Sequence, residues 1–158
     1  MSRLSGARLV AQDYRLPDDV AAYGNGFNTI TATTFSDMPT TACVAAITNP
    51  HTSANMIVLV HYAAWLGASA NAVRICPRVS GSLTLAAGIG SGGNGPIGWG
   101  EIPLSANNSL TQQRQGSATY ALPPGTATFT MQAFRDSASG TQISDYPVLR
   151  ISPLYYVL

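Results

Sequence analysis

The chain has 158 residues, 46% of them apolar and only 9% charged, with a formal net charge of +1. That length suits one domain around a single core, and the low charge, against roughly 25% in an ordinary globular domain, argues against a coiled coil or a charged helical bundle. Neutrality also argues against a nucleic-acid partner, which needs a basic excess to displace counterions from phosphates. Every basic residue is arginine, Glu101 is the sole glutamate, and 15 Ser, 15 Thr, 15 Gly and 10 Pro replace the missing helix formers. This is the vocabulary of strands and turns.

Residues 1–25 show no sustained period and carry six of the fifteen formal charges, Arg3, Arg8, Asp13, Arg15, Asp18 and Asp19, together with Tyr14, Pro17 and Tyr23. They read as an N-terminal arm that touches something, with Arg3, Arg8, Tyr14, Arg15 and Tyr23 as the assembly contacts. The early arginines are not followed by an apolar stretch of signal-peptide length, so no secretory leader is expected.

From Asn28 the pattern turns to strands. Thr29, Thr31 and Thr33 alternate with Ile30, Ala32 and Thr34. After a break at Asp37 to Pro39, Thr41 to Thr48 sets Cys43, Ala45 and Ile47 opposite Ala42, Val44 and Ala46. Asn49-Pro50 ends that run. Met56 to Leu66 is apolar on both faces, with Met56, Val58, Val60 and Tyr62 on one and Ile57, Leu59 and Trp65 on the other, which predicts a central strand covered on both sides. The stretch lacks the roughly 20 apolar residues of a membrane span, and no membrane partner is expected. Ala72 to Val79 alternates with Val73, Ile75 and Val79 inward and Arg74 and Arg78 outward, while Pro77 suggests a bulge or an edge.

Gly88 to Gly100 holds seven glycines and an Asn94-Gly95 pair suited to a tight turn. It reads as a long loop, exposed at Asn94, Ile97 and Trp99, and loops of that length are uncommon unless they do something. Further strands are expected at Leu110 to Gln115, Ser117 to Leu122, Thr126 to Arg135 and Val148 to Val157, with Pro123-Pro124-Gly125 as a hairpin corner. Seven or eight strands at near-regular spacing predict an all-β fold, a two-sheet antiparallel β-sandwich of jelly-roll type over residues 26–158, preceded by the arm at 1–25.

The search for chemistry finds no catalytic, cofactor or metal residues. Gly88-Ile89-Gly90-Ser91-Gly92-Gly93 has the letters of a dinucleotide fingerprint, but Gly95, Pro96, Gly98 and Gly100 prevent the helix that must follow it. No nucleophile elbow occurs. His61 reads as a packed residue and His51 as a solvated turn residue. Cys43 and Cys76, even with both histidines, give no zinc spacing and read as small buried side chains. Asp13, Asp18, Asp19, Asp37, Glu101, Asp136 and Asp145 mostly sit in turns or in the arm, where aspartate supports local backbone hydrogen bonds rather than paired-carboxylate catalysis. The chain is expected not to be an enzyme.

Two blocks carry a resemblance. Val58-Leu59-Val60-His61-Tyr62-Ala63-Ala64-Trp65-Leu66-Gly67-Ala68-Ser69-Ala70, followed by Val73-Arg74-Ile75-Cys76-Pro77-Arg78-Val79-Ser80-Gly81, resembles a strand–turn–strand pair of small virion proteins of tailed bacteriophages. Tyr120 to Arg135, continuing through Ser139-Gly140-Thr141 to Leu149-Arg150-Ile151-Ser152-Pro153-Leu154, resembles their closing hairpin and last strand. The resemblance implies a TNF-like jelly roll that forms homotrimers and acts in the virion as a head decoration protein bound to the major capsid or other virion proteins. The alternative it allows is a minor tail or receptor-binding component whose Trp99 loop meets host glycan. It carries no catalytic residues.

Overall fold

The computed structural model describes residues 15–33, 36–38, 43–68, 73–83, 112–135 and 142–157. Nine strands and no helix occur among them: β1 (Val20–Tyr23), β2 (Phe27–Thr29), β3 (Ser36–Asp37), β4 (Val44–Asn49), β5 (Asn55–Ala68), β6 (Val73–Gly81), β7 (Gln112–Leu122), β8 (Gly125–Arg135) and β9 (Gln142–Val157). In sheet one, β5 lies between β7 and β9, and β1 and β2 share the far edge of β9. In sheet two, β8 pairs with β6 along one edge and with β4 and β3 along the other. Every pairing is antiparallel.

From β4 onward successive strands alternate between the sheets, which is the jelly-roll connectivity of a two-sheet sandwich. This corrects one expectation. Pro123 and Pro124 do not make a hairpin, because β7 belongs to sheet one and β8 to sheet two; they carry the chain across the sandwich, and Gly125 takes the turn at φ +111. A second crossing lies beside it. Gly81 stands at φ +96, where a Cβ would run into the Thr126 carbonyl that accepts a 2.8 Å bond from the Ser82 amide.

The core follows from the alternation. Cys43, Ala45 and Ile47 of the β4 run, Met56, Val58, Val60 and Tyr62 of β5, and Ala127, Phe129, Met131 and Ala133 of β8 all point between the sheets and are buried. Removing such side chains from water stabilises the fold by about 1.5–3 kcal/mol for each large one. Tyr120 meets Phe129 edge-on across the two sheets at 5.4 Å between centroids. Leu110 to Leu122 was expected as two strands around Gly116, yet β7 runs unbroken from Gln112. The glycine serves a different purpose, since a Cβ there would lie 2.5 Å from the Tyr62 hydroxyl, which occupies the space instead.

The corner from β4 to β5 is built on Asn49, which is 2% exposed. Its Nδ2 donates to the carbonyls of Ala54 and Leu122, both at 2.9 Å, and its Oδ1 accepts from the His51 amide at 3.0 Å. His51 is more engaged than a solvated turn residue. Its Nδ1 accepts from the Ser53 and Ala54 amides at 3.1 and 2.9 Å, so the ring proton sits on Nε2, and the ring packs against Tyr156 at 5.3 Å.

Candidate assembly face

The outer face of sheet one is where the two-sided apolar pattern of β5 leads. Its inner residues are fully buried, but the expected cover on the other side is missing from the chain's own described residues. Trp65 is 42% exposed, and Ile57, Leu59 and His61 are half-buried. His61 therefore belongs to the surface of the sandwich and not to its interior. Register extends this face across the sheet. Ile57 stands between Tyr155 and Ala121, Leu59 between Ser152 and Thr119, His61 between Arg150 and Ser117, and Ala63 between Val148 and Gln115. β1 adds Ala21 beside Arg150 and Tyr23 beside Val148, the latter tyrosine 70% exposed. Tyr155 is 56% exposed. The result is a sheet face that mixes apolar and hydroxyl side chains with His61 and Arg150 and carries the exposed rings of Trp65, Tyr23 and Tyr155.

Two register shifts in the β5–β9 ladder, between Ile57 and Val58 and between Ala63 and Trp65, each place an extra residue on β9. At the second shift Tyr146 adopts φ 46, a left-handed conformation rare for a bulky residue, with its ring exposed.

The face carries little net charge because Arg150 is paired. Asp19 Oδ2 accepts from Arg150 Nη2 at 2.7 Å, from Arg150 Nε at 3.1 Å and from Ser152 Oγ at 3.0 Å. The Arg150 hydrogen bonds, with Ser152 second, hold the Asp19 carboxyl below the ordinary carboxylate range. This cluster links positions 131 apart in the chain. No periodic signal in the sequence marks it.

Of the residues singled out in the sequence, Tyr23 lies on this face and Arg15 at its border, where the Arg15 carbonyl accepts from Tyr156 Oη at 3.2 Å. Arg3, Arg8, Tyr14, Asn94, Ile97 and Trp99 lie outside the described residues. A second engaged carboxylate is Asp37, bound by Arg78 Nη2 at 3.0 Å and Gln132 Nε2 at 2.7 Å on sheet two. Among the described residues no group of three or more His, Cys, Asp or Glu is placed to hold a metal ion. Cys43 and Cys76 are both buried and unbridged. Cys43 Sγ donates to the Ala22 carbonyl at 3.4 Å, and burial pushes its thiol up to about 11.

No protein-family model matches the chain, and no curated protein matches it. Solved structures similar to it include the globular domain of zebrafish complement 1qA protein, with a TM-score of 0.47 and 8% identity over 89% of this chain and 100% of that one. The Eiger TNF of S. frugiperda gives a TM-score of 0.44 at 8% identity over 86% and 93%. A chain of the infectious bursal disease virus Gx strain gives 0.41 at 11%, over 90% of this chain and 33% of that chain.

Proposed function

We propose that the chain is a non-enzymatic structural subunit that self-associates through the outer face of sheet one as a homotrimer, and that it decorates the head of a tailed bacteriophage. The observation that carries the reading is β5, apolar on both faces and covered on only one by the described residues. A strand of that pattern is expected between two layers, and a second copy supplies the absent layer. Exposed Trp65, Tyr23 and Tyr155 are residue types that anchor interfaces, while Arg150 is paired with Asp19, which lowers the cost of covering its charge. The blocks that resemble phage virion proteins support the particle as its place, and many copies on a closed lattice add avidity to modest contacts.

The test has two parts. Light scattering at micromolar concentration is expected to give a trimer that Leu59→Asp converts to a monomer, and labelling on particles is expected at the head. A wild-type monomer overturns the self-association. Label at the tail, or none on the particle, overturns the decoration role.

A further inference from the structure

The segment Arg15 to Tyr23 is attached to the sandwich by its backbone pairing, by surface polar groups and by the buried Cys43 thiol, which donates to the Ala22 carbonyl. None of its side chains is fully buried; Leu16, Val20 and Ala22 pack only partly against the core, and in chain order the buried cluster begins at Ile30. Val20 to Tyr23 pair with Ile151 to Val148. The Asp19 cluster on Arg150 and Ser152 and the Tyr156 bond to the Arg15 carbonyl extend the same alignment along the β9 edge. The segment then joins the fold through Gly24-Asn25-Gly26, where Gly26 has φ +95 and nothing lies within 4 Å of the place a Cβ would take.

We propose that the β9 edge is a slot for this segment and that residues 15–23 of a second copy fill it by exchange. The inference goes beyond the proposed function, since it concerns an edge of sheet one and not its face. Three features carry it. Withdrawing the strand takes no member of the buried cluster with it, although it uncovers Cys43, Leu149 and Ile151, so opening is a local event. An empty slot would bare a row of β9 backbone donors and acceptors above Leu149 and Ile151, so it demands an occupant. The sequence that satisfies it, with a carboxylate at the Arg150–Ser152 position and alternating Val20 and Ala22, belongs to every copy. The contacts are identical whether the strand comes from within or from a neighbour, so concentration decides. A strand on a short flexible tether competes at roughly millimolar effective concentration. Dilute chains therefore stay closed, and crowded copies on a lattice exchange.

Tyr23 and Val148 report on the slot. The Gly24 amide bonds the Pro147 carbonyl at 2.8 Å, which makes the next pair, Tyr23 and Val148, the closer non-hydrogen-bonded type that a disulfide can bridge. All test chains carry Leu59→Asp, so association through the face cannot produce the signal and its failure is read separately. A chain with both Tyr23→Cys and Val148→Cys is expected to close its disulfide internally when dilute. Chains carrying one or the other substitution, mixed and oxidised, are expected to give a disulfide-linked heterodimer whose share of the chains rises by roughly 20- to 50-fold between 10 µM and 1 mM, and which at 1 mM stands well above the roughly twofold statistical excess over either homodimer. A heterodimer that stays at the statistical ratio at both concentrations overturns the exchange. Failure of the double variant to close overturns the slot itself.

Discussion

Replacing Gly116 with alanine tests how the Tyr62 ring is seated. The added methyl carbon would stand 2.5 Å from the Tyr62 Oη and 2.6 Å from its Cζ, and Tyr62 is fully buried, so the ring has no solvent to swing into. Overpacking of this kind costs about 1–3 kcal/mol. Alanine also restricts the unfolded chain, which returns about 0.4–1 kcal/mol. The net loss is about 1–2 kcal/mol, a fall of roughly 2–8 °C in Tm for a domain of this size. Urea and thermal unfolding of the wild type, Gly116→Ala, Tyr62→Leu and the double variant form a cycle that isolates the contact. In the Tyr62→Leu background the alanine is expected to be neutral or stabilising, for a coupling of at least about 1 kcal/mol. Equal effects of Gly116→Ala in both backgrounds would refute the argument that the ring fills the glycine's space.

Asn49→Ala leaves the Ala54 and Leu122 carbonyls without their side-chain donor in a buried corner, and a loss of about 2 kcal/mol in urea unfolding is expected. Phe129→Ala removes a fully buried ring and its edge-on contact with Tyr120, with an expected cost of about 3–5 kcal/mol read from the same titration. Stability is expected to fall at alkaline pH. Burial raises the Cys43 thiol from 9.0 to about 11 and raises Tyr120 in the same direction, so the fold favours their neutral forms. That contribution is whole below the unfolded thiol value and drains away as pH climbs through the folded one. Cys43→Ala should flatten the decline in a urea-midpoint series across that range. On the acid side, the hydrogen bonds that lower Asp19 are expected to be lost as the pH drops through its depressed value. Faster amide exchange confined to Val20–Tyr23 is the signal to look for.

The sandwich was legible because its inner residues alternate. Of the two alternating sets in the β4 run, Cys43, Ala45 and Ile47 form the buried one, and Ile75 and Val79 of β6, expected inward, are buried. The errors lie where pattern is silent about pairing. Pro123-Pro124-Gly125 has the composition of a hairpin, and nothing local distinguishes a turn within one sheet from a crossing between two. β9 begins at Gln142, earlier than the expected Val148, because the strand continues through the unusual Tyr146 and Pro147 that composition marks as a break. The candidate face was half legible. The apolar character of Ile57, Leu59 and Trp65 was visible in the sequence, but whether the chain covers them is a question of tertiary arrangement. Asp19 reaching Arg150 could not be read at all, since no periodic signal spans such a separation.

Among the described residues no strand pairs with its neighbour in chain order, and Asn55 finds its β9 partner at Val157. Nascent hairpins therefore cannot seed this architecture. Large loops must close before any ladder forms, which places folding in the slow, millisecond-to-second regime of non-local topologies. During that interval β5 waits with both faces wet and sticky, a hazard for clumping. The second apolar face, which the proposed self-association would use, is the one most dangerous to the newborn chain.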